Sequence, residues 1–389
     1  MSNSYDGVAL IAPVTVQYQR YSEHAAPWFI GRVLAAALAS AGLRKDEVDG
    51  LAVSSFSLAP DSAVTLSEYF SMSLRWVEQL PMGGASAVIS LRRAARAIQA
   101  GDASVVACVA GDTLRKDSFR DLIANFSQFS REAAYPYGAA GPNAIFALIT
   151  RAYMEEYGAT REDFGRICIA QRENASHNPL ALLRKPMSMD DYLHARPIAE
   201  PLRLLDCVMP CAGGEGFLVT SVERARELNV PFVRVLAAEE RHNSFSEDAV
   251  QLRGGWAAFR DDLYGAAGVR PNDVDFVETY DDYPVIALQQ LEDLGFCEKG
   301  EGPDFVRRVP LTCDGGGLPM NTCGGQLSAG QAGFAGGHLG LVEAMRQLNG
   351  EPLGKPVPDA QIGLVSGYGM ANYDRCLCSA AAILKRGDA

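Results

Sequence analysis

Residues 321–330 read NTCGGQLSAG, and residues 278–283 ahead of them read ETYDDY. Paired glycines such as those in the first stretch mark a turn or loop rather than the interior of a helix or strand. A further glycine pair, at residues 336–337, leads into a predicted helix and then into an apolar strand that begins near Ile362. Glycines alone identify no fold, so the weight of this stretch depends on whether the rest of the chain repeats the pattern.

The amino-terminal half does repeat it. A glycine pair at residues 83–84 precedes a predicted helix over residues 86–99 and an apolar strand at residues 105–110. In addition, AGLRKDEVD at residues 41–49 resembles AGVRPNDVD at residues 267–275, and each copy lies between an alanine-containing helix and an apolar strand. A repeat at half-chain distance indicates a duplicated α/β unit, since solenoids have a much shorter period.

Strands and helices alternate along the chain, which is typical of an α/β fold. For example, residues 28–41 carry alanine and leucine at helical spacing and are followed by Gly42, a typical helix end. We therefore predict two similar halves, residues 1–235 and residues 236–389. An irregular insertion is predicted at about residues 115–210 of the first half, where aromatic residues, asparagine and proline are frequent, and long insertions often carry binding function.

The composition argues against several classes of function. The net charge is −12 over 389 residues and no lysine- or arginine-rich run appears, so we expect no nucleic-acid-binding surface. A short basic cluster, Arg92, Arg93 and Arg96, is either a solvated helix face or a patch for an anionic ligand. No apolar segment approaches the roughly 20 residues that span a bilayer. The polar first residues do not resemble a signal peptide, so we predict a cytoplasmic protein.

The nine cysteines indicate reduced thiols rather than disulfides, because they include no CxxC pair and the chain is not short. Cys207 and Cys211 have a spacing that zinc ligands can have, but no second pair with histidine follows. Cys376 and Cys378 alternate along an apolar strand, which favours a packing role. We predict no metal site.

The blocks at residues 278–283 and 321–330, in this order and within a duplicated chain, resemble the thiolase superfamily, most closely its sterol-carrier-protein-type, lipid-transfer branch. NTCGGQLSAG is similar to the N-x-x-G-G-x-x-x-x-G-H block of thiolases. ETYDDY lies where the branch has a His-Asp-Cys-Phe-like motif, and LEDLG at residues 291–295 is also typical there. The resemblance covers nearly the whole chain. It implies an α/β thiolase fold, a duplicated five-layer αβαβα arrangement with an inserted loop domain.

The resemblance also implies ligands and partners. The ligand is a coenzyme A thioester that acts as the substrate, and no bound cofactor is expected. Thiolase-fold proteins form homodimers by pairing edge strands of two subunits. Members of this branch often work with a small partner protein that has a zinc ribbon and an OB-fold, so such a partner is expected here.

The residues that carry thiolase chemistry are changed in this chain. A thiolase needs a thiolate that accepts an acyl group, and acid–base groups that activate it and handle the α-proton. Gly84 takes the place of the nucleophilic cysteine, and Gln331 takes the place of the activating histidine. SGYG at residues 366–369 replaces the final Cys-x-Gly motif. The loss of all three together implies a different reaction.

Some members of the family carry Gly-Gly-Ala-Ser at the nucleophile turn, as residues 83–86 do here, and are aldolases. They cleave a β-hydroxyacyl-CoA by a retro-aldol reaction, as in the removal of steroid side chains. This reaction requires a group that takes the β-hydroxyl proton, donors that hold the thioester enolate and an acid that protonates Cα. We therefore predict a carbon–carbon lyase that releases a carbonyl compound and a shorter acyl-CoA.

Four residues are predicted to be catalytic. Tyr280 lies where those aldolases have a tyrosine, and it either relays a proton or packs. Asp281 either polarises the site or caps a helix. Gln331 hydrogen-bonds the thioester or the hydroxyl, but it cannot titrate. His338, near the start of a predicted helix whose dipole lowers its pKa, is either a general base or a helix cap. The predicted substrate contacts are Gly84, Ser86, Tyr283, Cys323, Gly325 and Gly367.

Two alternatives stay open at this point. An acyltransferase or thiolase-type subunit could use Ser86 or Cys323 as an unusual nucleophile, although Ser86 also fits a helix cap and Cys323 a packing role. The chain could instead be a non-catalytic scaffold that positions or activates a partner. Acyl adducts would favour the first alternative, and coenzyme A binding without turnover would favour the second.

Overall fold

A computed structural model describes residues 4–118, 132, 134–139, 141–314, 316–372 and 375–388. The strands are β1 (Val8–Gln19), β2 (Gly50–Ser54), β3 (Trp76–Gln79), β4 (Val105–Asp112), β5 (Pro197–Ala199), β6 (Leu202–Arg203), β7 (Ala212–Ser221), β8 (Phe232–His242), β9 (Phe276–Glu278), β10 (Ile362–Asn372) and β11 (Arg375–Arg386). The helices are α1 (Ala26–Ala41), α2 (Ala63–Tyr69), α3 (Ser86–Ala100), α4 (Pro142–Tyr157), α5 (Arg161–Ser176), α6 (Met189–Leu193), α7 (Val222–Glu227), α8 (Trp256–Ala267), α9 (Pro284–Asp293), α10 (Gly302–Arg308), α11 (Gly325–Ala329) and α12 (Gly336–Asn349).

Nine strands form one mixed sheet, in the order β3-β2-β4-β7-β1-β8-β11-β10-β9. This order contains the same unit twice. The neighbours β2, β4, β7 and β1 correspond, in chain order and in position, to β9, β10, β11 and β8. The two units join where β1 pairs antiparallel with β8. The predicted duplication is therefore confirmed, and the predicted boundary after residue 235 falls inside β8.

The helices form three layers around the two sheet units. α1 packs against β1, β4 and β7 of the first unit, and α8 packs against β8 and β11 of the second unit. α3 and α12 pack against each other and against strands of both units, so they make the central layer. This is the predicted αβαβα arrangement. Small buried residues on α3, such as Ala87, Ala94 and Ala95, allow the close packing that a central layer requires.

Helix ends follow the signals in the sequence. α1 ends at Gly42 with φ 65°, and α3 ends at Gly101 with φ 76°. Both glycines adopt the left-handed conformation that a residue with a side chain rarely adopts, so each stops its helix at a defined point. The first end leads towards β2 and the second towards β4, two neighbouring strands of the first unit.

The segment predicted as an irregular insertion over residues 115–210 is largely helical where the structure describes it. α4 and α5 are 16 residues long each. Ile145, Ile149 and Tyr153 are buried on α4, and their spacing of four residues is that of one helix face. The prediction of irregular structure was therefore wrong for the residues that form α4 and α5. Residues 119–131 of the insertion lie outside the described residues.

The basic cluster on α3 is paired inside the protein. Arg92 lies 3.6 Å from the Glu239 carboxylate, and Arg93 lies 2.6 Å from the Glu240 carboxylate, both on β8. Arg96 donates a hydrogen bond of 2.7 Å to a backbone oxygen near the amino terminus. The cluster therefore ties α3 to its surroundings, while each of the three side chains stays partly exposed.

Among the described helices, none combines the length and the hydropathy that crossing a bilayer requires. The described residues also contain no group of three or more histidine, cysteine, aspartate and glutamate side chains arranged to hold a metal ion. All nine cysteines are free thiols, including Cys207 and Cys211.

Candidate active site

A cavity of about 800 Å³ lies between the turn at residues 83–84, the residues that follow β9 and the segment of residues 196–211. Aromatic and aliphatic side chains make up most of its wall. Its aromatic members are Phe56, Phe146, Tyr280, Tyr283, Phe334 and Tyr368. Such a wall suits a large apolar ligand that a few polar groups orient.

The ring of Tyr280 occupies the space beside Gly84. A β-carbon added to Gly84 would lie 1.9 Å from Cε2 of that ring, so position 84 accepts no side chain while Tyr280 stays in place. The tyrosine fills the volume into which a nucleophilic side chain would project from the turn. Tyr280 is 7% exposed, and its ring is parallel to that of Tyr368 with 6.2 Å between the centroids.

The backbone of Tyr280 is held by Gln290 of α9. The Gln290 amide nitrogen donates to the Tyr280 carbonyl oxygen at 2.7 Å, and its amide oxygen accepts from the Tyr280 N–H at 3.1 Å. Ser366, the first residue of the SGYG stretch, donates to the same amide oxygen at 2.7 Å. Because all three residues are buried, these bonds fix the point from which the tyrosine side chain projects.

The side chains of Tyr280, Asp282 and Gln331 line the cavity together, and Asp282 and Gln331 lie close enough to the Tyr280 phenol to influence its pKa. Burial raises the pKa of Asp282 to about 7, while the neighbouring Tyr280 and Gln331 side chains act in the opposite direction. Burial and then the Asp282 charge raise the pKa of Tyr280 well above its usual value. At neutral pH the phenol is therefore a neutral donor beside a carboxyl group that can gain or lose a proton.

One short segment, residues 208–211, is hydrogen-bonded through its backbone to both polar partners of the tyrosine. The Val208 N–H donates to the Asp282 carbonyl oxygen at 3.3 Å. The Cys211 N–H donates to the Gln331 carbonyl oxygen at 2.9 Å. The segment belongs to the chain between α6 and β7, so the insertion of the first half positions two loops of the second half.

Asp281 caps a helix and does not face the cavity. Its carboxylate accepts hydrogen bonds from the Gln326 N–H at 2.9 Å and the Leu327 N–H at 3.2 Å, at the start of α11. Gly325 serves the same contact, because a β-carbon there would lie 2.2 Å from Asp281 Oδ2. Burial raises the pKa of Asp281 to about 6. Of the two roles predicted for Asp281 the structure shows the helix cap, although not a catalytic position at the cavity, and the predicted substrate contact of Gly325 is wrong because this glycine does not line the cavity.

His338 is fully buried in α12 and is not among the described residues that line the cavity. Its Nδ1 lies 3.4 Å from the Phe334 carbonyl oxygen, and burial lowers its pKa to about 4. The cause of the low pKa is burial, which removes solvent from the imidazole. An imidazole enclosed in this way does not reach a substrate in the cavity, which corrects the expectation of a general base.

Two of the predicted substrate contacts, Gly84 and Tyr283, do line the cavity. The Tyr283 hydroxyl donates to Asn143 Oδ1 at 2.6 Å, and its ring stacks on Phe146 with 4.1 Å between the centroids. Because Asn143 and Phe146 belong to α4, Tyr283 joins the helical insertion to the residues that follow β9. It therefore shapes the wall and also anchors it.

The other three predicted contacts lie outside the cavity lining. The Ser86 hydroxyl is buried and donates to the Leu80 carbonyl oxygen at 3.1 Å. Cys323 is fully buried, and burial raises the pKa of its thiol well above the usual value. Gly367 allows β10 to pass close to the turn, since a β-carbon there would lie 2.7 Å from the Gly84 carbonyl oxygen. Ser86 and Cys323 are thus poorly placed to act as nucleophiles.

Sequence reasoning missed Asp282, although the signal was present. Two consecutive carboxylates follow Tyr280 in ETYDDY. One of these two neighbouring side chains caps a helix and the other lines the cavity. Tyr368 was also missed, because the stretch SGYG was considered only for the cysteine it lacks.

Comparison with known proteins identifies relatives along most of the chain. The family model described as thiolase C-terminal domain-like matches residues 237–385. A steroid side-chain-cleaving aldolase of Thermomonospora curvata is 32% identical, over 94% of this chain and 96% of its own length. A 17-hydroxy-3-oxo-4-pregnene-20-carboxyl-CoA lyase of Mycobacterium tuberculosis is 34% identical, over 85% of this chain and 88% of its own length.

Solved structures agree with these relatives. The structure described as an Ltp2-ChsH2(DUF35) aldolase has a TM-score of 0.86 at 30% identity, covering 98% of this chain and 99% of that chain. A monomeric SCP2-thiolase-like protein from Mycobacterium smegmatis has a TM-score of 0.73 at 16% identity, covering 98% of this chain and 78% of that chain. The second likeness bears on the fold alone.

Proposed function

The chain belongs to the thiolase-like family that contains the steroid side-chain-cleaving aldolases, and on that premise we propose that it is a carbon–carbon lyase. Its substrate is a β-hydroxyacyl-CoA, which it cleaves by a retro-aldol reaction into a carbonyl compound and a shorter acyl-CoA. The thioester is the substrate, and the reaction as written requires no bound cofactor.

One observation carries the proposal: the Tyr280 ring fills the space of a side chain at Gly84. A thiolase needs a nucleophile in that space, because its acyl group is transferred to a thiolate. Here the same space holds a phenol, and the Asp282 and Gln331 side chains line the cavity with it. The site therefore has an acid–base group where a thiolase has its nucleophile, and a retro-aldol reaction needs the first but not the second.

The first step removes the proton of the β-hydroxyl group. The Tyr280 oxygen accepts this proton while the phenolic proton moves to the Asp282 carboxylate. As the substrate oxygen loses its proton, its electron pair forms the new carbonyl and the Cα–Cβ bond breaks. Gln331 cannot titrate, and it orients the tyrosine hydroxyl by hydrogen bonding. Asp282, with its pKa raised to about 7, is able to hold the proton until the second step.

The second step protonates Cα. The electron pair of the broken bond forms a thioester enolate, whose negative charge needs stabilisation. The turns that open α3 and α12 meet at the site, where a β-carbon on Gly337 would lie 2.7 Å from Gly84 Cα. The positive ends of both helices therefore favour negative charge at this point. Asp282 then returns its proton through Tyr280 to Cα, which restores the starting state.

The cavity supports a bulky apolar acyl group. Its volume is about 800 Å³, and aromatic residues line it on several sides. Both relatives are named for steroid substrates, and a steroid side chain attached to coenzyme A is the substrate class that we propose for this chain. The class is testable with the pregnene carboxyl-CoA thioester in the name of the second relative.

We also propose the partners that the family resemblance implies. The structure with a TM-score of 0.86 is described as a complex with ChsH2, a DUF35 protein. A small DUF35 partner with a zinc ribbon and an OB-fold is proposed here as well. A homodimer would form at β3, a four-residue strand at the edge of the sheet that pairs with β2 and with no second strand among the described residues. A cytoplasmic location is consistent with nine free thiols.

The proposal is tested by mass spectrometry of the chain, co-expressed with a DUF35 partner and incubated with matched β-hydroxyacyl-CoA and β-ketoacyl-CoA thioesters. Release of a carbonyl compound and a shorter acyl-CoA from the β-hydroxy substrate, without an adduct on the protein, is expected. Tyr280→Phe should slow this release by roughly 100-fold or more. Tyr283→Phe is the matched control, since it removes a phenol from the same wall and leaves the relay intact.

Two results would contradict the proposal. A stable acyl adduct on Ser86 or Cys323 would favour the alternative hypothesis of an acyltransferase. Cleavage of the β-keto substrate that depends on free coenzyme A would do the same. Binding of both thioesters without any turnover, in the presence of the partner, would instead support a scaffold.

A further inference from the structure

Arg172 of α5 is a buried cation that faces the cavity. The residue is 8% exposed, and it lines the cavity wall. Its Nε donates to the Ser328 hydroxyl at 3.0 Å, and its Nη1 donates to the Lys185 carbonyl oxygen at 3.4 Å. Both acceptors are uncharged. Within the part of the chain that the structure describes, no carboxylate forms an ion pair with this guanidinium.

Two other arginines at α5 have carboxylate partners. Arg161, the first residue of α5, lies 2.9 Å from the Asp206 carboxylate, and Arg307 of α10 lies 2.7 Å from that of Asp163 on α5. A guanidinium stays charged at every physiological pH, and its burial without a counter-charge is strongly unfavourable. Burial accordingly lowers the pKa of Arg172. The arrangement is incomplete in a way that an anionic group in the cavity would correct.

Arg172 is also connected to the catalytic loop. Its partner Ser328 belongs to α11, and the first N–H groups of that short helix are held by Asp281, next to Tyr280. An anion bound by Arg172 would therefore have a position defined relative to the tyrosine. Such an anchor would orient a substrate before its reacting bond meets the relay.

We propose that Arg172 is an anion-binding subsite of the cavity, and that its remaining N–H groups hold an oxyanion group of the substrate. This inference rests on the proposed function, which supplies a coenzyme A thioester as the ligand. Two groups of such a ligand share the required chemistry, a carboxylate on the acyl part and a phosphate of coenzyme A. Arginine is suited to both, because its planar fork matches their oxygen atoms.

The test is isothermal titration calorimetry with four thioesters that lack a β-hydroxyl group, so that binding is measured without turnover. Two carry coenzyme A and two carry pantetheine, which has no phosphate. Within each pair, one acyl chain bears a terminal carboxylate and the other bears its methyl ester. The proteins are the unchanged chain with its partner, Arg172→Met, Arg172→Lys and Arg166→Met. Arg166 is an exposed residue of the same helix, outside the cavity lining, so its substitution controls for lost charge.

Arg172→Met should weaken binding roughly 10- to 100-fold for the probes that carry the anionic group, and should leave the others unchanged. Arg172→Lys should recover part of the loss, and Arg166→Met should bind like the unchanged chain. A loss confined to the coenzyme A probes identifies the phosphate. A loss that follows the acyl carboxylate, including on pantetheine, identifies the carboxylate.

An equal loss for all four probes, no loss for any, or no binding of any probe to the unchanged chain would overturn the subsite. The outcome is separable from the proposed reaction. A chain that shows the selective loss but does not cleave β-hydroxy thioesters keeps its anion subsite and loses its function as a lyase.

Discussion

Substitution of Gly84 by alanine tests whether the position of Tyr280 defines the chemistry of this site. The added β-carbon would lie 1.9, 2.3 and 2.4 Å from Cε2, Cζ and Cδ2 of the tyrosine ring. Carbon atoms pack at about 3.5 to 4.0 Å, so the ring must retreat by roughly 1.5 Å or more. Its backbone is held by Gln290, and its ring lies parallel to that of Tyr368, so this retreat is opposed.

Two effects of known size follow from this displacement. Overpacking of a buried site lowers the free energy of unfolding by about 1 to 3 kcal/mol. A reacting group displaced by about 1 Å loses roughly 100-fold in rate. We expect Gly84→Ala to show both, as a lower midpoint in urea unfolding and as a fall in kcat for cleavage of a β-hydroxyacyl-CoA.

A double-mutant cycle isolates the contact. Tyr280→Ala removes the ring, so the Gly84→Ala change should cost little further stability in that background, and the two substitutions should be strongly non-additive. Gly265→Ala is the matched control, because an added β-carbon on this helical glycine of α8 has no atom within 4 Å. That control should be neutral or stabilising by up to about 1 kcal/mol. Full activity of Gly84→Ala, or additive effects in the cycle, would refute the reasoning.

Four further outcomes are expected. Tyr280→Phe should lower kcat by roughly 100- to 10,000-fold in a carbonyl-release assay, because a proton relay is lost; a smaller effect would assign Tyr280 to packing. Burial raises the pKa of Asp282 to about 7, and its carboxylate must be ionised to accept a proton, so kcat/KM should rise as the pH rises through about 7. Asp282→Asn should give a low, flat pH profile of kcat/KM. A rise that persists in this variant would show that another group is the base. Burial raises the pKa of Glu215 to about 8, above its value of about 4.3 in the unfolded chain. The stabilising effect of the protonated side chain is therefore complete below about pH 4 and is lost as the pH rises through about 8. Glu215→Gln should flatten this decline of the unfolding free energy in urea unfolding measured from pH 5 to 8, and an unchanged slope would contradict the assignment. Val77→Pro removes an N–H group from the edge strand β3 and should convert the proposed homodimer to a monomer in light scattering, whereas a persistent dimer would place the interface elsewhere.

Much of the fold could be predicted because its signals are local. Gly42 and Gly101 mark helix ends in the sequence, and they close α1 and α3 in the structure. The similarity of residues 41–49 to residues 267–275 predicted two copies of one unit, and the sheet order contains that unit twice. The helices of the insertion were missed for a different reason. Its frequent asparagines and prolines predicted irregular structure, whereas the helical spacing of its apolar residues indicated helices. Pro142 does not interrupt a helix, because it is at the start of α4.

The site could be predicted only in part, because it depends on which way side chains face. The motif led to Tyr280 and Gln331, and both line the cavity. The motif could not distinguish the role of Asp281 from that of Asp282. Asp281 caps α11, whereas Asp282 lies near the tyrosine because the chain turns after β9. His338 failed as a base because the two sheet units bury it, and burial by distant segments leaves no local trace in a sequence.

The mutual exclusion of the Tyr280 ring and any side chain at position 84 also constrains how this protein and the thiolases can interconvert during evolution. A cysteine gained first at position 84 collides with the ring. Loss of the ring first leaves neither a nucleophile nor a relay. Neither single substitution therefore yields a complete site of either kind. Conversion between the two arrangements requires paired substitutions at positions 84 and 280.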